Sequence, residues 1–170
     1  NPAKYSASIL DAWAEILQRV ESSRLLLKYK GLNDPKLQAR LRQEFAQRGI
    51  DPERILLEGK SPHTELLATY NRVDLALDTQ PYSGGLTTCE ALWMGVPVVT
   101  IVGQTVVGRA GASQLNNLKL PDLIGHTADQ FVAIATQLAN DLDRLSALRR
   151  TLRERMQRSP LMDAARFARN

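Results

Sequence analysis

Val73-Asp74-Leu75-Ala76-Leu77-Asp78 and Val96-Pro97-Val98-Val99-Thr100-Ile101-Val102 are two apolar runs that decide the fold class. Between them lie a loop of small residues, Thr79 to Leu86, and the segment Thr87-Thr88-Cys89-Glu90-Ala91-Leu92-Trp93, which ends at Gly95. The runs are short and nearly continuous, as expected of strands covered on both faces. The segment between them has helical spacing, and Gly95 is a helix stop. Strand, helix and strand in this order make a parallel βαβ unit.

Working outward, the same alternation recurs. Ile9, Leu10, Trp13, Ile16, Leu17 and Val20 predict an amphipathic helix from about Ser6 to Ser22, capped by Ser6 or Ser8. Arg24 to Lys30 reads as a strand. Asn33-Asp34-Pro35 opens a helix with Leu37, Leu41 and Phe45 on its apolar stripe, ended by Gly49. Ile55-Leu56-Leu57 is the next strand, and Ser61-Pro62 opens the next helix. After Val102, helices are expected over Arg109 to Leu118 and Asp129 to Arg158, the second with a break near Asn140-Asp141. Ser159-Pro160 ends it before a short basic tail. The whole predicts an α/β domain with one parallel sheet and helices on both faces, over residues 1–158, with 159–170 as a tail.

Composition bounds the function. The chain has 170 residues, 44% of them hydrophobic and 24% charged, which excludes disorder for its bulk. A net charge of +4 suits an anionic ligand or nucleic acid and separates neither. One cysteine, Cys89, excludes a disulfide framework and a cysteine-rich zinc site; two histidines, His63 and His126, argue against a histidine metal cluster. The longest apolar run is too short to span a bilayer. No leader peptide is visible, and a reduced, cytoplasmic setting is expected. The chain begins Asn1-Pro2 without a methionine, as a piece of a longer protein would.

In open parallel sheets, ligands bind beyond the carboxyl ends of the strands. The loop after Asp78 therefore draws attention. Gly84-Gly85 allows close backbone approach, and a helix start at Thr87 or Thr88 offers free N–H groups and a positive dipole end to a phosphate. Glu90 has two readings. Thr87-x-x-Glu90 fits a capping box; a carboxylate here could instead accept ribose hydroxyls. Asp74 and Asp78 bracket a strand, and strand-end capping accounts for them.

The segment Gly84-Gly85-Leu86-Thr87-Thr88-Cys89-Glu90-Ala91-Leu92-Trp93-Met94-Gly95-Val96-Pro97-Val98-Val99-Thr100 resembles the nucleotide-sugar site of the O-linked N-acetylglucosamine transferase family, including its plant SPINDLY-type and bacterial members. Asn1-Pro2-Ala3-Lys4, Arg109-Ala110-Gly111-Ala112-Ser113-Gln114-Leu115 and Ser159-Pro160-Leu161 agree with the family in order and spacing. The resemblance implies a Rossmann-like domain, the C-terminal half of a B-type glycosyltransferase, lying behind tetratricopeptide repeats in the whole protein. It implies transfer of a sugar from a nucleoside diphosphate to protein Ser or Thr, with UDP-N-acetylglucosamine the first choice of donor and GDP-fucose the alternative. This half alone would bind donor without turning over. No cofactor or metal is implied, and the acceptor protein would meet parts of the protein outside this chain.

Residue by residue, the resemblance places Lys4 on the donor diphosphate as the catalytic cation. Thr87 matches a phosphate-contacting threonine, and Thr88 is its neighbour in the turn. Glu90 stands where the family has an acidic ribose ligand. Ser61 and His63 fall in the loop that receives the base, although the N-acetylglucosamine transferases typically carry lysine at the position of His63. The animal enzymes carry histidine where this chain has Gly85 and Leu66. Asn1 and Arg109 are further candidates, Arg109 for a phosphate, the facing domain or its own loop.

A different class is a nucleic-acid-binding module, since Arg144, Arg149, Arg150, Arg153, Arg155, Arg158, Arg166 and Arg169 make the C-terminal end basic. No stacking aromatics are interleaved with them, which favours a solvated helix face.

Overall fold

The computed structural model describes residues 1–169. The elements run α1 (Ala7–Arg19), β1 (Leu25–Lys28), α2 (Pro35–Ala46), β2 (Ile55–Glu58), α3 (His63–Thr69), β3 (Ala76–Leu77), α4 (Leu86–Trp93), β4 (Val98–Ile101), α5 (Ala110–Asn117), β5 (Ile124–Gly125), α6 (Ala128–Asn140), α7 (Leu142–Gln157) and α8 (Ala164–Arg169). All strand pairs are parallel. The expectation of an α/β fold holds, with one correction. The strands form two ladders, β1-β2 and β3-β4-β5, rather than one continuous sheet. β3 is shorter than expected: only Ala76 and Leu77 of the run pair with β4. β5 was not expected, because two residues carry no periodicity.

Local sequence explains the boundaries. Ser6 caps α1 by accepting from the Ile9 amide, and Asp34 caps α2 by accepting from the Lys36 amide, with Pro35 in the first turn. The long helix breaks where expected: Asp141 ends α6, and its carboxylate accepts the Arg144 amide to start α7. Gly95 closes α4 at φ +82°, and a Cβ there would sit 2.7 Å from the Arg149 carbonyl oxygen of α7. Only glycine meets both demands.

The core lies around β4, all four of whose residues are buried, which is the pattern of a central parallel strand. Leu92, Val96, Leu115, Leu123, Phe131 and Leu152 are fully buried around it. α1 buries Ile9, Leu10, Trp13, Ile16 and Leu17 and packs on α6. The Arg54 guanidinium donates to the carbonyls of Leu17, Val20 and Ser23, so a cation closes the C-terminal end of α1. Leu161 packs on the core from the turn at Pro160–Met162, whereas Phe167 of α8 is exposed. Among the described residues no helix is long and apolar enough to cross a membrane.

Candidate functional site

The ends of β2 and β3 feed two loops, and the second is heavily bonded. The Asp78 carboxylate, buried at the end of β3, accepts from the Thr79 amide at 2.8 Å and the Gly84 amide at 2.7 Å, both on Oδ1. Its Oδ2 accepts from the Thr100 hydroxyl at 2.7 Å. Burial pushes this carboxyl above the ordinary aspartate value; the bonds from Thr100, Gly84 and Thr79, and the charge of Lys4, pull the other way. Ser83, also buried, donates its hydroxyl to the Val107 carbonyl at 2.7 Å and accepts from the Gly111 amide. The Gln114 amide holds the Gly85 carbonyl at 3.1 Å. The loop is thereby fixed to the start of α5 and to the loop after β4.

On this loop α4 begins. Gly85 is its N-cap and supplies no side-chain bond, so the first amides of the helix are left for another acceptor. The start lies one or two residues earlier than expected, which overturns the capping box: Thr87 and Glu90 both sit inside the helix. The two threonines also differ. Thr87 is exposed, whereas Thr88 is buried, and a Cβ on Gly84 would come within 2.2 Å of its hydroxyl. Thr88 packs beneath the glycine; Thr87 faces outward.

Lys4 reaches this loop from the N-terminal turn, Pro2–Lys4, which Asn1 caps through its side chain. Its ammonium donates to the Ser83 carbonyl at 3.3 Å and lies 4.1 Å from the centre of the Tyr82 ring. Lys4, Gly84, Gly85 and Thr87 are thus brought together at one helix start.

The loop after β2 supplies the other wall. Ser61 makes a single long bond, 3.4 Å, to the adjacent Pro62 carbonyl. His63, the first residue of α3, places Nε2 3.0 Å from Glu90 Oε1. The Glu90 carboxylate is largely covered, while the His63 side chain is 66% exposed. Tyr70 donates to the Thr87 carbonyl; burial first, and the Glu90 charge second, push its hydroxyl up to about 12. Burial and the same charge raise the Cys89 thiol, which keeps it protonated rather than nucleophilic.

Arg109 sits at the N-cap of α5 and donates from Nε to the Gly103 carbonyl at 3.0 Å, closing its own loop. The arginines of α7 are largely occupied within the fold. Arg149 donates to the Val73 and Tyr70 carbonyls, Arg153 donates to the Trp93 carbonyl and lies over its ring, and Arg144 pairs with Asp122. Sequence reasoning missed Asp78 as the centre of the site's framework. The signal available was an aspartate closing an apolar run just before paired glycines.

Among the described residues no three His, Cys, Asp or Glu side chains gather as a metal site.

The Glycosyl transferase family 41 profile matches residues 3–170. A probable UDP-N-acetylglucosamine–peptide N-acetylglucosaminyltransferase SPINDLY of Solanum lycopersicum is 40% identical over 171 residues, covering 100% of this chain and 18% of the relative. A UDP-N-acetylglucosamine–peptide N-acetylglucosaminyltransferase of Caenorhabditis elegans is 31% identical over 96% of this chain and 14% of its own length. The structure of a mutant of the Thermobaculum terrenum O-GlcNAc transferase superposes with a TM-score of 0.88 at 42% identity, over 95% of this chain and 31% of that one. The chain therefore spans less than a fifth of the length of these two curated relatives, and its fold is that of one half of a B-type glycosyltransferase. On the profile, the relatives and the superposition together, the chain belongs to glycosyltransferase family 41.

Proposed function

We propose that this chain is the donor-binding half of a protein O-glycosyltransferase that moves N-acetylglucosamine from a uridine diphosphate sugar to Ser or Thr. The observation that carries the reading is one convergence. An ammonium, Lys4, and a helix start with unclaimed amides, Gly85 to Thr87, meet on one loop, with the Glu90 carboxylate in the same helix. The first two suit a diphosphate and the third suits ribose hydroxyls. The relatives' names, which specify UDP-N-acetylglucosamine and peptide, supply the sugar and the acceptor class.

In this mechanism Lys4 and the α4 amides stabilise the charge that develops on the diphosphate as the sugar leaves. Their positions are fixed before the ligand arrives, so little reorganisation is needed at the moment of reaction. Thr87 adds a hydroxyl donor to the same phosphates. Ser61 and His63 border the base, and no cofactor takes part. Asn1 caps the turn that presents Lys4, and Arg109 shapes the neighbouring loop. The acceptor protein and the residue that takes its hydroxyl proton belong to parts of the protein outside this chain. A cytoplasmic setting goes with this reading.

Calorimetric titration of the chain with UDP, UDP-N-acetylglucosamine, GDP and GDP-fucose tests it. Saturable binding of the uridine ligands, weakened in Lys4→Ala and Thr87→Ala at unchanged melting temperature, is expected. Preference for the guanosine ligands would move the donor class. Binding of none, or affinity unchanged from the parent in both variants, would overturn the site.

A further inference from the structure

Asp78 is a buried titratable group with no assigned part in catalysis. Its bond to the Gly84 amide spans six residues and closes the whole turn from Thr79 to Ser83. Two amides share one carboxylate oxygen at 2.7 and 2.8 Å, a demand that an ionised acceptor meets best. The other oxygen is anchored by Thr100 of the central strand β4. Glycine backbone closes on both oxygens: a Cβ on Gly111 would lie 2.5 Å from Oδ2, and one on Gly84 would lie 3.3 Å from Oδ1. Capping a strand end requires only the bond to the next amide. The bond to Gly84 does something else. It sets where Gly85 starts α4, and it holds Ser83, whose carbonyl takes the Lys4 ammonium.

We infer that Asp78 is a positioning residue for the donor diphosphate, tying the α4 amides and Lys4 to the rigid strand β4 so that both face one anion. The inference rests on the donor-binding reading above. A purely structural aspartate would affect every ligand alike; a positioning role acts on the phosphates and spares the nucleoside. Thr100 shares the role through its bond to Oδ2.

The test compares UDP with uridine (or GDP with guanosine, if that is the pair the parent chain binds) by calorimetry and NMR titration. Asp78→Ala is expected to weaken the diphosphate about tenfold or more while the nucleoside stays within about twofold, as loss of a bond to a charged group implies. Asp78→Asn keeps an acceptor for both amides and is expected to recover most of the loss. Thr100→Val removes one anchor without changing side-chain shape and is expected to fall between. Should Asp78→Ala fail to fold, Thr100→Val and Asp78→Asn decide. Equal losses for both ligands, or no loss for either in folded variants, would overturn the positioning role and leave the donor site standing. A parent chain that binds no nucleoside diphosphate would remove the donor-binding reading itself, and this inference with it.

Discussion

The loops after β2 and β3 border the same site and are built in opposite ways. After β3, Asp78 and Ser83 hold the backbone through buried or half-buried bonds, Thr100 anchors the Asp78 carboxylate, and Gln114 adds an exposed bond, so the charge-bearing end of the site is fixed. After β2, Ser61 holds only its neighbour's carbonyl, and His63 extends into solvent. The difference follows from what each must grip. A diphosphate is recognised by a few dipoles and cations whose worth depends on prior alignment. A base offers a flat face and an edge, which an adjustable loop can follow. Glu90 joins the two walls, since its helix grows from the fixed loop and its carboxylate meets His63 of the free one.

The largest effect that would sharpen this contrast is expected at Gly111. A Cβ there would meet Asp78 Oδ2 at 2.5 Å and Thr100 Oγ1 at 2.7 Å, both buried. Gly111→Ala should cost about 2–3 kcal/mol of stability, the upper part of the overpacking range. Urea denaturation showing a loss well under about 1 kcal/mol would mean that the β3 loop is not held rigidly.

Glu90→Gln comes next. It keeps shape and one acceptor but loses charge. Nucleoside diphosphate affinity should fall about tenfold, roughly 1.4 kcal/mol, with little change in melting temperature. The deficit should shrink for a 2′,3′-dideoxy nucleotide. Unchanged affinity for both ligands would remove the ribose role.

A smaller, pH-dependent effect separates the two strand ends. Glu58 ends β2, and its carboxyl is held below its ordinary value of 4.5, first by the Arg72 bond and also by Lys28. Its stabilisation is present above 4.5 and is lost as pH falls through the folded value. Asp78 ends β3, and burial holds it above its ordinary 3.8. Its contribution is full below 3.8 and is lost as pH rises through the folded value. Melting curves between about pH 3 and about pH 7 should therefore diverge. The Glu58→Gln deficit should fade on acidification, and Asp78→Asn should gain on the parent as pH rises. Parallel curves for both variants would break the contrast.

The smallest effect is expected at His63. Its pair with Glu90 is open to water on the histidine side, and such pairs contribute about 0–1 kcal/mol. His63→Ala should leave melting nearly unchanged and alter affinity by no more than about threefold, about 0.7 kcal/mol. A large loss of either would show that the β2 loop is held as firmly as its neighbour.

Local chemistry was legible in the sequence. The caps at Ser6 and Asp34, the stop at Gly95 and the break at Asp141 are written in adjacent residues, and the structure follows them. The gathering of Lys4 with the Gly84–Thr87 loop came from the family resemblance, since residues so far apart along the chain carry no shared local signal. What escaped was through-space polar bonding. Nothing near Glu90 announces His63, nothing near Arg54 announces the end of α1, and Asp78 looks like any strand-end aspartate until Gly84 and Thr100 are seen on its two oxygens. The α4 start at Leu86 is hidden because Thr87-x-x-Glu90 imitates a capping box, while Gly85 enters the helix first.

The packing of α1 on α6 has a consequence for how the chain is made. The two helices lie near opposite ends of the sequence, yet α1 buries most of its apolar face in the finished fold. A ribosome releases α1 early and α6 late, N-terminus first. While the segment between them is made, Trp13 and its neighbours must wait without their final partner. This domain should therefore complete its core only once α6 is available, and a fragment ending before Ala128 should leave Trp13 exposed.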